Sequence, residues 1–580
     1  MKITRPSYLL LLSFLSFQCV GSIDAAERTI SFDEYRDKMQ AGWIGQMVGV
    51  AWTAPTEFKF KHSIIPVDEA TGLPELMKPL TPNTVNQSFS QDDLYVEMIF
   101  LRSLEKYGFE VSRRQAGIDF ANSNPRLYCA NATGQGNTRL GIAPPWSGHP
   151  KFNIQPNAID YQIEADYSGL IAPGLPQVPV DLGDIFGSIM NYSDGIYAGQ
   201  FVGAMYSEAF FETDMRKVIE KGLEAIPAES QYAQIIREVL QWSLKEPDWQ
   251  KTWQYIENTY AGKKYGELKE GETQLLELND GDIDVRVNGA YLVMGLLYGA
   301  GDPVKTTIIS ARCGKDSDCN PSNALGILFT SMGLEKVPDI FKDGAKMDAK
   351  FSHSPYTLPM LYELCFKLAK TVVGKSGGKV IEANGGYFLI PEQAAKPSRY
   401  FSAARPEPVP ADYRFTAEEM AQIKVETSKL EKDFSAVFPG WKLLNCAHVK
   451  EVGRAIERKV KTDMAFTTHP QSEASPVMIT KNVEIPRGKK TTLKLAVTGY
   501  EGRDQEWELL VRVDMADVFQ KVIKGNMGSW SPASDLQAIE IDLTPYAGQE
   551  IMIDLYNRPA PGGNPLTALA YWGNIEIVSE

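Results

Sequence analysis

Phe32, Tyr35, Met39, Trp43, Met47 and Val50 recur at intervals of three and four, which predicts an amphipathic helix near the start of the folded chain. Glycines at 42, 45 and 49 interleave with them and admit the close approach of another backbone. Leu94, Met98, Leu101 and Leu104 mark the apolar face of a second helix. The stretch from Val287 to Gly301 is apolar on nearly every side, as suits a helix buried all round, and Val304 to Ala311 continues as another. Asn320 as N-cap, Pro321 at the first helical position and Gly333 as stop frame a helix carrying Leu325, Ile327, Leu328 and Phe329. Between Ser207 and Tyr260 the pattern is again helical, with Trp242, Trp249 and Trp253 read as core.

Two stretches break this pattern. From Asn122 to Pro179 the density of Gly, Pro and Asn predicts long loops, the usual place for a helical scaffold to meet its substrate. Near residue 370 the composition shifts. Val380 to Ile390 reads as a hairpin around Asn384-Gly385, Pro391 to Pro410 as an extended connector, and Phe415 to Phe434 as a helix. After Trp441 the period becomes two, in segments such as Thr491–Val497, Trp507–Val513, Ile539–Leu543, Ile551–Tyr556 and Tyr571–Ile577. Evenly spaced short strands predict a β-sandwich of the jelly-roll kind. The expected organisation is a leader at 1–26, an all-α domain at 27–372, a hairpin, Pro-rich linker and helix at 373–437, and the sandwich at 438–580.

The leader is an export signal in form. Lys2 and Arg5 precede an apolar run from Tyr8 to Val20, with small residues near Ala25 for cleavage. It is too short to span a membrane stably, and nothing later is long enough either, so no transmembrane segment is expected. The location expected is periplasmic or cell-surface. Cys19 could carry a lipid anchor, but Ser16-Phe17-Gln18 is a poor lipobox. The five cysteines beyond it are odd in number and thinly spread, which argues against a disulfide framework. A net charge of −14 with no basic run excludes a nucleic-acid partner. No histidine pair has metal spacing and no nucleophile elbow occurs, so zinc hydrolysis and Ser-His catalysis have no support in the sequence.

The chemistry concentrates in two acidic pairs. Asp316 and Asp318 fall in Cys313-Gly-Lys-Asp-Ser-Asp-Cys-Asn320, between two apolar helical segments, while Asp92 and Asp93 open the second helix. Each pair has a bland account: Asp316 and Asp318 complement a helix N-terminus, and Ser90 with Asp93 fits a capping box. Two such pairs, each beside a core helix, would repel if brought together unless a cation lay between them. An all-oxygen cluster suits magnesium, manganese or calcium.

Gly314-Lys315-Asp316-Ser317-Asp318-Cys319-Asn320 resembles the Gly-Gly-Asp-Thr-Asp-Thr-Asn signature of the ADP-ribosylglycohydrolase family. Gln91-Asp92-Asp93 resembles its Thr-Asp-Asp motif, and Gly42 to Gly49 through Ala54-Pro-Thr-Glu-Phe58 resembles its opening helix and Gly-x-Pro-x-Glu loop, all in the family's order. The resemblance implies an all-α domain holding magnesium ions that orient the vicinal hydroxyls of a ribose while water displaces the anomeric substituent. It assigns Asp92, Asp93, Asp316 and Asp318 as metal ligands and Glu57 as the acidic residue near the scissile bond. Glu97, one helical turn past Asp93, is a second choice for that carboxylate. Gln91 and Cys319 stand where the family has threonine. A Gln carbonyl still binds a hard cation and a thiol binds magnesium poorly, so one ion or two remains open.

The expected substrate contacts lie in the loop-rich stretch and just beyond. Asn137 and Arg139 sit in Gly134–Arg139, where Arg139 is either an anion clamp or half of a structural salt bridge. Glu164 and Asp166 replace a more neutral stretch of the family and favour a sugar other than an ADP-ribosyl protein. Asp194 is either a helix cap or a substrate contact, and Asp284, in the alternation Asp280, Asp282, Asp284, is a further candidate to face the site. The final domain resembles the galactose-binding-like jelly rolls of secreted glycan-degrading enzymes, with Trp530 and Trp572 as candidate sugar platforms. The expected function is an exported, metal-dependent glycoside hydrolase acting on a ribosyl, arabinosyl or ADP-ribosyl-type furanosidic linkage of a carbohydrate or ribosyl-containing small molecule. The alternative is a catalytically inactive carbohydrate-binding protein on the same fold.

Overall fold

The computed structural model describes residues 27–261, 282–425, 428–446, 465–470, 476–499, 506–525, 536–561 and 568–580. The leader with Cys19, Asp280 and Trp530 lie outside them. Among the described residues no helix is long and apolar enough to cross a membrane.

The first two thirds of the chain is helical. Helix Phe32–Thr53 and helix Cys319–Met332 form its axis, and their packing depends on glycine: a Cβ on Gly45 would stand 2.6 Å from the Leu325 carbonyl oxygen, and one on Gly49 2.7 Å from that of Pro321. Helix Val285–Gly299 is buried on nearly every side, as its uniform apolarity predicts, and helix Pro303–Arg312 follows it. The core these helices enclose is continuous from Ile30 to Ile390.

The stretch expected as long loops is loops interrupted by short helices, Cys129–Arg139, Asp160–Ile163, Asp166–Leu170 and Gln177–Ile185, and most of it is buried. The small residues that suggested loops serve close packing. A Cβ on Gly134 would stand 2.7 Å from the Ile189 carbonyl. Helix Cys319–Met332 starts one residue before Asn320, with Asp318 at the cap position and no side-chain capping bond.

One small sheet accompanies the helices. Strand β1 (Glu27–Ser31) pairs antiparallel with β3 (Tyr387–Pro391), which pairs with β2 (Lys379–Ile381). The hairpin expected in a connecting segment thus places Phe388 and Ile390 in the helical core. The proline-rich segment after it is extended but not free: Tyr197 OH donates to the Arg399 carbonyl at 3.0 Å and accepts the Phe401 N–H at 2.7 Å, and a His149 ring nitrogen lies 2.9 Å from the Glu407 carbonyl. The single helix expected over 415–434 is two, Ala417–Met420 and Lys429–Val437, because Thr416 with Glu419 and Ser428 with Glu431 each form a complete capping box that starts a new helix.

The C-terminal region is a β-sandwich of antiparallel strands: β4 (Lys442–Leu444), β5 (Phe466–Thr468), β6 (Val477–Glu484), β7 (Thr491–Gly499), β8 (Trp507–Val513), β9 (Ala516–Ile523), β10 (Gln537–Asp542), β11 (Glu550–Pro559) and β12 (Ala570–Ser579). The sheet orders are β10-β7-β12-β5 and β4-β6-β11-β8-β9. Trp507, Leu509, Val511, Ile551, Ile553 and Leu555 point between the sheets. The opposite face of β8 and β11 is also covered, since Leu510 and Tyr556 pack with Ile154, and Met552 with Ile142 and Phe152. Two covered faces explain why these strands read as near-continuous apolar runs. Trp572 is a core residue rather than a sugar platform: it is fully buried against Trp507, and its indole N–H donates to Thr468 Oγ1 at 2.8 Å.

Candidate active site

Three loops meet over the N-termini of two helices. Glu57 ends the turn Ala54–Thr56 that closes helix 32–53. That turn is tied to the loop before helix 319–332: the Phe58 N–H donates to the Lys315 carbonyl, and the Lys315 N–H to the Phe60 carbonyl, both at 2.9 Å. Thr56 Oγ1 and Ser317 Oγ are 2.8 Å apart. The ladder requires Gly314, at φ +83°, where a Cβ would come within 2.3 Å of the Phe60 carbonyl. Asn288 fixes the other side of the loop, accepting from Asn320 Nδ2 at 2.8 Å while donating to the Asp282 and Asp284 carbonyls.

These ties bring Asp316 and Asp318 against Asp92 and Asp93 at the start of helix Asp92–Tyr107. The bland account of that second pair does not hold. Ser90 lies in the preceding 3-10 turn, Gln91 takes the cap position, and its side chain makes no capping bond. A cavity of about 330 Å³ opens over the cluster. Glu57, Gln91, Asp92, Asp316, Asp318 and Cys319 line it on the acidic side. Facing them are Phe58, Tyr128, Ile159, Ile163 and Ile283, with Asn131 and Asp160 among them and the ion pair of Lys61 with Asp282, 2.6 Å long, in the same wall. Asp93 sits behind the lining and accepts from the Cys319 thiol at 3.4 Å.

The cluster's electrostatics are those of uncompensated carboxylates. The charge of Asp318, then burial and the charge of Asp92, push the Glu57 carboxyl up to about 9, against a small opposing effect of Lys59. Burial, then the charges of Asp92 and Asp318, holds Asp93 well above the usual range. Burial with Glu57 raises Asp316, and burial with Asp316 raises Asp318. Asp93 Oδ2 and Asp316 Oδ1 are buried without a hydrogen-bond partner. Such oxygens are costly to leave bare and fit a cation. Oxygens of Asp316 and Asp318 and the sulfur of Cys319 all lie within 4.8 Å of one another. An acidic metal site is therefore present in form, with Asp92 and Asp93 beside that triad.

The remaining expected residues lie elsewhere. Glu97 is fully buried and accepts from Gln46 Nε2 and, at 2.7 Å, from the Tyr167 N–H, so its carboxylate braces the helices and does not line the cavity. Asp166 accepts from Tyr206 OH and, at 2.8 Å, from Asn323 Nδ2. Glu164 accepts from Asn131 Nδ2 below the cavity wall. Asn137 donates to the Ser147 and Phe152 carbonyls, both at 2.8 Å, and Arg139 to the Ala121 and Ser123 carbonyls at 2.9 and 2.8 Å, so neither reaches the cavity and Arg139 is not an anion clamp. Asp194 accepts from the Tyr232 N–H at 3.2 Å, and Asp284 grips Arg286 from its cap position. Asp282 lines the cavity in place of Asp284.

Tyr128, Asn131 and Asp160 are lining residues that sequence reasoning passed over. Burial raises Asp160 to about 7, and its Oδ1 accepts the Asn131 N–H at 2.8 Å. Their only sequence signal is polarity inside an otherwise small-residue stretch.

The family model for ADP-ribosylglycohydrolase matches residues 31–361. No curated protein sequence matches the chain. Among solved structures, an ADP-ribosylglycohydrolase-related protein complex aligns over 58% of this chain and 98% of its own, at 12% identity and a TM-score of 0.36. A cyclase from Fischerella sp. TAU aligns over 24% of this chain and 85% of its own, at 12% identity and a TM-score of 0.16. At those scores neither likeness bears on function.

Proposed function

The chain belongs to the ADP-ribosylglycohydrolase family, hydrolases of glycosyl bonds, and from that premise we propose that it is an exported, metal-dependent glycoside hydrolase acting on a ribosyl, arabinosyl or ADP-ribosyl-type furanosidic linkage. The observation that carries the reading is Glu57 held beside Asp92, Asp316 and Asp318 in one cavity. Asp92, Asp93, Asp316 and Asp318 would hold the divalent cation, magnesium or its hard relatives manganese and calcium. When bound it would supply charge balance and a grip on vicinal hydroxyls.

Glu57 is the group placed to move a proton. The charges of Asp318 and Asp92, with burial, push its carboxyl up to about 9 towards the protonated form, a push that a cation held by the same carboxylates would weaken. In the hydrolysis proposed, the anomeric C–O bond breaks, the oxygen of water bonds to the anomeric carbon, and the departing oxygen gains the proton. Phe58, Tyr128, Ile159, Ile163 and Ile283 offer an apolar surface for the carbon face of a sugar. Glu164 and Asp166, spent on internal hydrogen bonds, leave the choice of substrate to the lining residues. The divisions at 26, 372 and 437, and a galactose-binding-like identity for the sandwich, belong to the same proposal.

The test is a screen of aryl furanosides and pyranosides with added divalent cation. Turnover of a furanoside is expected, with Glu57→Gln slower by about a hundredfold or more, the usual worth of a general acid or base, and with binding retained. Binding by the wild type without turnover of any furanoside would leave the carbohydrate-binding alternative in its place.

A further inference from the structure

Cys319 gives the acidic cluster a donor that hard cations do not need. Its sulfur lies 3.4 Å from Asp93 Oδ1 and 3.8 Å from Asp318 Oδ1, and it belongs with Asp316 and Asp318 to the set of donor atoms that fall within 4.8 Å of one another. Those spacings have a meaning in coordination geometry. A sulfur about 2.3 Å and an oxygen about 2.0 Å from one tetrahedral ion are about 3.5 Å apart. The sulfur thus forms one donor set with the carboxylates of Asp316 and Asp318, and Asp93 touches that set through the sulfur.

Two further observations point to a ligand. Asp316 is 3% exposed, yet its Oδ1 has no hydrogen-bond partner, and the same is true of Oδ2 of the fully buried Asp93. The neighbours that act on Asp93, Asp316 and Asp318 are other carboxylates and Cys319, with no Lys or Arg prominent among them. The alternative of a disulfide is absent: Cys313 and Cys319 are both free, and the Cys313 thiol donates to the Ile309 carbonyl at 3.2 Å.

A thiolate discriminates among cations where carboxylates do not. Magnesium and calcium take oxygen ligands, whereas zinc and its first-row neighbours accept sulfur readily. We propose that Cys319, with Asp93, Asp316 and Asp318, forms a mixed thiolate-carboxylate site selective for a borderline transition-metal ion such as Zn²⁺ over Mg²⁺. The proposal rests on the reading of this cluster as a metal site and changes which ion it prefers. On binding, the S–H bond gives way to a sulfur–metal bond and the proton leaves to solvent, with no change of oxidation state.

The experiment is a titration of the full-length, chelator-treated protein with Co²⁺, Zn²⁺ and Mg²⁺ separately, read by absorbance and by calorimetry. Co²⁺ is the spectroscopic stand-in for Zn²⁺. A thiolate-to-cobalt charge-transfer band is expected in the wild type, lost in Cys319→Ser and kept in Cys129→Ala, which removes the other sulfur lining the cavity. Zn²⁺ should bind at least a hundredfold more tightly than Mg²⁺, and Cys319→Thr should narrow that ratio by tenfold or more. Co²⁺ binding without the band, or equal Zn²⁺ preference in wild type and Cys319→Thr, overturns the role of the sulfur while leaving a metal site in place. Failure of all three ions to bind the wild type overturns both readings. An Asp316→Asn variant that binds as well as wild type overturns the site's location. Circular dichroism of each variant separates loss of the site from loss of the fold.

Discussion

Between the two sheets of the C-terminal sandwich lie Trp507, Leu509, Val511, Leu555 and Trp572, and the indole N–H groups of Trp507 and Trp572 have their acceptors in the Thr498 carbonyl and Thr468 Oγ1. Beneath the cavity of the helical region the equivalent depth holds Asp93, Asp316, Asp318 and Glu97, two of them with bare oxygens. The sandwich interior is arranged for stability alone. The helical interior carries carboxylates that oppose one another, a cost that the surrounding core must offset and that protonation or a bound cation would relieve. Isolated bare atoms occur in both regions, Asp554 Oδ1 in the sandwich among them; what sets the cluster apart is that several buried carboxylates with bare oxygens act on one another.

Four substitutions or conditions sharpen that contrast. The largest effect belongs to the satisfied interior: Trp507→Ala should lower stability to denaturant by about 3–5 kcal/mol, the cost of emptying a large core site. A loss under about 1 kcal/mol would mean that the sandwich interior is not a packed core.

Next is the contact between the helical region and the proline-rich connector, where a His149 ring nitrogen meets the Glu407 carbonyl. Burial lowers His149 from 6.5 to about 4, so the folded state binds its proton later than the unfolded state on acidification. Its contribution is full above about pH 6.5 and is lost as pH falls towards 4, on the order of 3 kcal/mol in all. The difference in stability between wild type and His149→Gln, followed from pH 7.5 to 4, should show that slope. A constant difference would contradict it.

Third, Asp316→Asn should stabilise the chelator-treated protein by about 1–2 kcal/mol, since it removes an unpaired buried charge, and should abolish the stabilisation that added divalent cation gives the wild type. Destabilisation in chelator would show that Asp316 is structurally satisfied. The smallest effect is expected at an ion pair between the helical region and the sandwich. Lys151 and Asp514 pair at 3.0 Å while partly solvated, and Lys151→Ala should cost no more than about 1 kcal/mol.

Legibility differed along the chain for physical reasons. The two acidic pairs could be found because both resemble motifs of one family in the family's order, and Glu57 because Ala54-Pro-Thr-Glu-Phe58 resembles that family's loop. Glu164, Asp166, Asn137 and Arg139 looked equally available in sequence, yet each spends its polar atoms on neighbours inside the fold. Nothing local to a residue records which way it faces when all sides of its helix are buried. Asp160 and Tyr128 entered the cavity for the same reason in reverse. The stretch read as loops holds short helices between its loops because Gly and Asn that disfavour an isolated helix are tolerated where close packing and buried hydrogen bonds hold it. The connector is pinned because tyrosine hydroxyls some two hundred positions earlier receive its backbone.

By itself the sequence determined the helical and strand periods and the change of fold class after Trp441, since each is written in the spacing of a few neighbouring residues, while that Asp92-Asp93 and Asp316-Asp318 share a site was implied by the family resemblance. Only the tertiary structure decided that Cys319 points at Asp93, that Glu97 turns away from the cavity, that Asp282 rather than Asp284 faces it, and that Trp572 is core. Those outcomes depend on which helices and strands meet and at what distance, and two glycines at 45 and 49 that let one helix touch another determine them as much as any residue in the site.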